Sequence, residues 1–175
     1  MIDEKRFEEY YLTYANKIYG LAFRLLNDHN DALDIVQESF FRAYKKKNSF
    51  KGLSKFSTYL YRIAVNLSYD FLRKKSKIKK IENLNYENFP FYSNKRNFED
   101  CIRCDDIAEQ IEKEVDNLTE KQKIVFILKT YEEFTYQEIA NILKSRIGTV
   151  KATYFQSLQK IRENLKKKGV IKNEM

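Results

Sequence analysis

Residues that break or redirect a chain are scarce in this sequence. One proline and four glycines in 175 residues leave few points where a helix must stop, and the wealth of Lys, Glu, Leu, Ile and Tyr favours helices over strands. Histidine occurs once, at His29, and cysteine twice, as Cys101 and Cys104 in a lone "CIRC". That pair has no second pair or histidine cluster to complete a tetrahedral metal site, and no βαβ pattern around it to suggest redox work. Two thiols on a short helix are the simpler reading, so neither metal nor cofactor is expected. A glycine-rich phosphate loop and paired carboxylates in an apolar pattern are also missing, which argues against an enzyme. No window approaches about 18 uncharged apolar residues, and "MIDEKRFEEYY" is charged where a signal peptide would be apolar. The expectation is a cytoplasmic protein without a membrane-inserted segment.

What is abundant is charge, and it is organised. Residues 1–80 hold 17 Lys/Arg against 9 Asp/Glu, residues 81–117 hold 4 against 10, and residues 118–175 hold 12 against 6. Two basic blocks flanking an acidic stretch suggest two modules that meet one polyanion, joined by a segment that does not. Nucleic acid is the leading partner. Any single run, such as "RKKSKIKK" at 73–80, could be a solvated helix end where lysine suits the macrodipole.

Apolar spacing resolves the blocks into helices. Phe7, Tyr11, Tyr14, Ile18, Leu21 and Leu25 recur at steps of three and four, and the helix should end near Asn27. After the polar "DHNDA", a second stripe of Ala32, Ile35, Val36, Phe40, Ala43 and Tyr44 leaves Asp34, Gln37 and Glu38 outside. "NSFKGLSK" interrupts the period, and Phe56, Tyr59, Leu60, Ile63, Ala64, Leu67 and Phe71 mark a third helix. Residues 82–98 lack a period and contain the proline, and an acidic helix from about Glu99 to Val115 leads onward. The fold class is all-α, with two small helical domains: 1–80, a helical bundle, and 116–175, with an acidic linker at 81–115.

The second module carries helix starts of one type. Thr119 with Gln122, and Thr135 with Glu138, have the spacing of capping boxes. Ala140 is small where helices approach closely, and only "KSR" separates Leu143 from the next helix. This is helix-turn-helix spacing. In the last helix Val150, Tyr154, Leu158, Ile161 and Leu165 predict the buried stripe, with Gly169 as its end. Thr149, Ala152, Gln156 and Lys160 then face out, types that read base edges and thymine methyls in a major groove of about 12 Å, while Lys151 and Lys160 suit phosphates.

Residues 31–75, "DALDIVQESFFRAYKKKNSFKGLSKFSTYLYRIAVNLSYDFLRKK", resemble region two of extracytoplasmic-function sigma factors of the sigma-seventy family. Residues 118–165, from "LTEKQKIVF" to "IRENL", resemble region four. The resemblance implies a subunit that directs bacterial RNA polymerase core to promoter DNA and nucleates melting. It implies that Asp34, Gln37, Glu38 and Phe41 dock on the polymerase. Phe50, Lys51, Tyr59, Tyr61, Arg62, Asn66 and Arg73 would serve the minus-ten element, Phe50 and Asn66 holding a flipped base. The physics is that of unpaired bases: unstacking costs a few kcal/mol, offset by aromatic contact worth about 1 to 3 kcal/mol per base. Tyr59 also lies on the apolar stripe, so core packing competes for it.

Arg146, Thr149, Lys151, Ala152, Phe155 and Gln156 would face the minus-thirty-five element. There the chain departs from the family: Lys144, Ser145 and Arg146 stand where "GIS" is common, and Ala152, Thr153, Gln156 and Leu158 replace the usual serine and arginines. Fewer arginines imply an A·T-leaning element or greater reliance on polymerase. The resemblance further implies an anti-sigma factor seated in an apolar cleft between the domains, and a monomer when free. The rival reading is a helix-turn-helix regulator that never joins polymerase; it would need a dimerisation seam or ligand pocket in residues 1–80, where the chain instead has "DIVQE" and "YRIAVN".

Overall fold

The computed structural model describes residues 3–47, 55–82 and 104–171. Phe50, Lys51 and Cys101 lie outside the described residues, as does the Cys104 side chain. Seven helices and no strand are present among the described residues: α1 (Glu4–Leu26), α2 (His29–Lys45), α3 (Phe56–Glu82), α4 (Cys104–Asp116), α5 (Glu120–Thr130), α6 (Tyr136–Leu143) and α7 (Ile147–Lys167).

Each junction has a local cause. Asp3 accepts the Arg6 N–H at 2.8 Å to start α1, and Asp28 accepts the Asp31 N–H at 2.9 Å to start α2, each satisfying a donor that a helix start would leave orphaned. Between them Asn27 takes a left-handed conformation (φ 54°) and returns its N–H to the Phe23 carbonyl. The short link folds α2 back on α1. Ile18, Leu21, Leu25, Ile35, Phe40 and Leu60 fill the space between α1, α2 and α3, and Tyr10 stacks on Phe56 with centroids 4.1 Å apart.

The α3 stripe is wider than its spacing implied. Phe56, Leu60 and Ala64 are buried as expected, but so are Tyr61, Val65 and Ser68, whereas Tyr59, Ile63, Leu67 and Phe71 are half-buried. The cause is tertiary: α3 is covered on one side by α1 and α2 and on another by α5 and α6, so it buries two faces. One core cluster therefore runs from Ile18 and Leu60 through Ile124, Leu128 and Ile139 to Val150.

A second cluster seats α4. Ile111 and Val115 pack on Phe126, Ile161 and Leu165, and Glu114, 1% exposed, accepts from Lys168 Nζ at 2.5 Å and Asn164 Nδ2 at 2.7 Å. α7 closes with the Gly169 N–H on the Lys166 carbonyl and the Val170 N–H on that of Leu165. Gly169 supplies the positive φ (70°) this Schellman ending requires.

Leu158 is a correction. It is 42% exposed, and Ser157, at 0%, holds the inward position instead. Steps from Tyr154 to Ile161 through 157 or through 158 fit a helix equally well, so spacing could not choose between them. Packing does: the Ser157 hydroxyl lies 3.3 Å from the Gln122 carbonyl of α5 and donates to Thr153 O at 2.8 Å, leaving no room for a branched side chain. Tyr11 and Tyr44, also expected on stripes, are 47% and 41% exposed and lie at the rim.

Candidate nucleic-acid and polymerase interface

The second module presents α7 through a tight turn. At the α6 start the Glu138 N–H donates to the Thr135 hydroxyl at 3.2 Å and the Thr135 N–H to the Glu138 carboxylate at 3.0 Å, as the spacing predicted. The Thr135 N–H bond foremost, and then the Thr135 hydroxyl, which donates to the same carboxylate at 2.8 Å, hold the Glu138 carboxyl below its usual range. At the α5 start the Thr119 N–H donates to Gln122 at 3.2 Å. α6 ends at Lys144 in a left-handed conformation (φ 49°), the place where the family's glycine would stand, with its N–H on the Ala140 carbonyl. Arg146 is the N-cap of α7 and its side chain makes no capping bond. Both departures noted in the turn are thus local weaknesses of this chain.

α7 then runs with Arg146, Thr149, Lys151, Ala152, Phe155 and Gln156 exposed. Phe155 stands out at 68%. Lys160, expected to hold phosphate, instead donates to the Asn117 carbonyl at 2.7 Å.

On the first module, α2 turns Asp34, Gln37 and Phe41 to solvent, with Glu38 part-exposed. Glu38 pairs with Arg42 at 2.6 Å, and Lys45 sits 4.3 Å from the Phe41 ring centroid. Carboxylates and an aromatic, 52% exposed, share this face.

The α3 residues assigned to the minus-ten element lie differently. Asn66 and Arg73 are exposed, and Tyr59 is half-buried, its hydroxyl titration pushed up by burial. Tyr61 is 2% exposed; it donates to the Glu132 carboxylate at 2.5 Å and meets the Phe134 ring edge-on at 4.7 Å. Burial, then the Glu132 bond, raise its pKa strongly. Arg62 donates from Nη2 to the Asn141 carbonyl at 2.6 Å, while its buried Nε has no partner among the described residues. Two further links tie the modules: Arg24 lies 3.7 Å from Glu132 and 4.5 Å from the Tyr131 ring centroid, and Lys123 donates to the Leu25 carbonyl at 3.2 Å and to Asp116 at 2.7 Å. A cavity of about 360 Å³ remains between the modules, with Asn66 and Val65 on one wall and Leu143, Lys144 and Thr149 on the other.

Comparison with known proteins settles the family. The profile for Sigma-70 region 2 matches residues 10–78 and that for Sigma-70, region 4 matches residues 108–161. The ECF RNA polymerase sigma factor SigW of Bacillus subtilis is 34% identical over 170 residues, covering 94% of this chain and 91% of its own. This chain belongs to the extracytoplasmic-function sigma factors. The ECF RNA polymerase sigma-E factor of Escherichia coli K12 is 30% identical over 165 residues, 91% of this chain and 86% of that one. Two solved structures share the fold: sigma factor RpoE with the anti-sigma factor NepR from Bartonella quintana (TM-score 0.71, 23% identity, 93% of this chain and 98% of that one) and CnrH with the cytosolic domain of CnrY (TM-score 0.68, 16% identity, 94% and 90%).

For a sigma factor, the residues overlooked in the sequence are those of the module junction: Arg24, Lys123, Glu132, Phe134 and Asn141. Their partners across the junction lie 71 to 108 residues away, beyond any periodic signal. The one hint was "YEEF", an acidic pair inside a basic block. Among the described residues no His, Cys, Asp or Glu group is placed to hold a metal ion, and no helix is long and apolar enough to cross a membrane.

Proposed function

We propose that this sigma factor divides its work among three faces. Asp34, Gln37, Glu38 and Phe41 on α2 dock on the polymerase core. Tyr59, Tyr61, Arg62, Asn66 and Arg73 on α3, with Phe50 and Lys51, take the minus-ten element. Arg146, Thr149, Lys151, Ala152, Phe155 and Gln156 take the minus-thirty-five element. The observation that carries this reading is the three-residue turn ahead of α7, with Arg146 exposed in the turn and the other five of the last set exposed behind it. Its modules are residues 1–80 and 116–175, with α4 of the intervening stretch seated on the second. It acts by binding, in the cytoplasm, and not by catalysis.

The two modules meet through Tyr61 and Arg62, the same side chains assigned to DNA. Promoter engagement therefore requires the junction to part, and Arg62, which leaves a buried donor unmet in the joined form, gains a phosphate partner when it does. One fold relative was solved with the anti-sigma factor NepR and the other with the cytosolic domain of CnrY. A protein of that class on the cleft between the modules is the partner inferred here.

Runoff transcription with core polymerase on a genomic fragment library tests the assignment. A defined set of start sites is the expected result. Reversing Asp34 and Glu38 to lysine should abolish association with core, whereas Asn66→Ala should leave association intact and impair opening. Failure of the purified chain to associate with core, or association with no new start sites, rejects the reading.

A further inference from the structure

The joined modules pack unevenly. Where Tyr61 meets Glu132 and Phe134 the surfaces touch, yet one turn further along α3, beside Val65 and Asn66, a cavity of about 360 Å³ stays open between α3, α5 and the start of α7. Packed interiors leave few voids larger than one water, and at about 30 Å³ per water this one has room for about a dozen. It falls within the range of about 300–1,000 Å³ that small-molecule sites occupy.

Its walls are of two kinds. The floor is aliphatic: Val65, Ile124, Val125 and Val150 are exposed by 2%, 3%, 3% and 1%. The mouth is polar, with hydroxyls from Ser145 and Thr149, and Lys121 of α5 and Lys144 of the α6–α7 turn bring positive charge to it. Lys55 and Lys123, elsewhere on the junction, are paired with Glu138 and Asp116. Lys121 and Lys144 have no ion-pair partner among the described residues, and no carboxylate lines the cavity among them. Lys144 also holds a left-handed backbone (φ 49°), which costs a lysine more than a glycine. A cation is thus kept at this mouth against the backbone's own preference. An apolar floor below two unpaired ammonium groups is complementary to a short hydrocarbon chain that ends in an anionic headgroup.

We propose that this cavity binds a small amphipathic anion, its carboxylate or phosphate held by Lys121 and Lys144 and its tail laid on Val65, Ile124, Val125 and Val150, and that the bound molecule clamps the two modules together. The site exists only while both walls are present, so the ligand binds the joined form and not the parted one, and the equilibrium shifts toward the joined form by that difference in affinity. Asn66 on one wall and Thr149 on the other are residues assigned to promoter DNA, and the ligand covers both. It therefore opposes initiation. The binding site stands on the cavity itself, whereas the inhibition rests on the three-face assignment above.

Octanoate and octyl phosphate are the probes, titrated into the full chain by calorimetry and by thermal unfolding, with octylammonium (the same tail, opposite charge) and acetate (the headgroup alone) beside them. The expected result is saturable binding of at least one anionic probe with a rise in melting temperature, and neither effect from the two controls; the tighter anion identifies the headgroup. Lys121→Gln and Lys144→Gln should each weaken binding about three- to fivefold, the worth of one exposed ion pair. Thr153→Leu fills the cavity from α7 without altering the floor, and should weaken binding by at least about tenfold while the ligand-free melting temperature holds or rises. In runoff transcription with core polymerase, the tighter probe should reduce start-site use by the wild type, and Lys121→Gln should require about three- to fivefold more of it. Equal stabilisation by octylammonium, or binding that survives Thr153→Leu, overturns the site. Failure of both anions to bind does the same and leaves the sigma-factor assignment standing. Binding without loss of initiation overturns the clamp. Absence of any new start site removes the promoter assignment and the inhibition with it, while calorimetry on the free chain still decides the site.

Discussion

Replacing Tyr61 with phenylalanine removes one hydroxyl and keeps the ring that meets Phe134 edge-on. The lost bond, 2.5 Å to the Glu132 carboxylate, is of the charge-assisted kind, worth about 1.5–3 kcal/mol. Glu132 is left 9% exposed with Arg24, 3.7 Å away and 35% exposed, as the cation among the described residues that offsets its charge. A loss of about 2 kcal/mol follows, and at about 2–4 °C per kcal/mol for a chain of this size the melting temperature should fall by about 4–8 °C. Urea titration of the wild type, Tyr61→Phe, Glu132→Gln and the double variant measures it. The two single changes remove the same bond, so their effects should fall short of additivity by at least about 1 kcal/mol. The Tyr61 pKa is raised from its ordinary value of 10.0, so the folded form releases this proton later than the unfolded chain. Its stabilisation is complete below pH 10.0 and drains as pH rises above that value, a loss that Tyr61→Phe should not show. Additive single effects, or a Tyr61→Phe change below about 0.5 kcal/mol, would refute the claim that this contact holds the modules together.

Other junctions make their own predictions. Glu114→Ala strands donors on Lys168, Asn164 and Asn117 and should cost about 2 kcal/mol in urea titration. The bond from Lys168 is the first cause holding the Glu114 carboxyl below its ordinary 4.5, so its stabilisation is full above that value and is lost as pH falls; Glu114→Gln should flatten the acid limb of stability against pH. Ser157→Leu should destabilise by at least about 2 kcal/mol through overpacking against α5, while Leu158→Ser should stay within about 0.5 kcal/mol in the same assay. In the turn, Lys144→Gly should gain about 0.5 kcal/mol by relieving the left-handed backbone. Arg146→Asp should gain about 1 kcal/mol by capping α7, yet weaken upstream DNA binding measured by fluorescence anisotropy with holoenzyme.

Helix content, helix starts and family were written locally and could be read locally. Asp3 and Asp28 stand where helix donors need acceptors, Thr135 and Glu138 are spaced to cap each other, and Gly169 supplies the positive φ that closes α7. Each depends on residues within a turn of one another, so sequence order alone specifies them. The α2 face was legible for the same reason: a stripe of apolar residues on one side leaves Asp34, Gln37 and Glu38 on the other, whatever packs beneath. On α7 the period placed Thr149, Ala152 and Gln156 outside, whereas Arg146 and Phe155 came from the family resemblance.

Only tertiary structure decided the rest. Whether Ser157 or Leu158 turned inward depended on how near α5 came, a distance that helical spacing cannot encode. Tyr61 lay off the stripe assigned to α3 because that stripe assumed one buried side, and the second arises from helices more than sixty residues further along the chain. Sequence determines which side chains a helix offers, since that is set by 1.5 Å of rise and 100° of rotation per residue. Which of those offers are taken up is a property of surfaces meeting in space, and there Glu132 and Asn141 engaged two residues that the family resemblance had assigned to DNA.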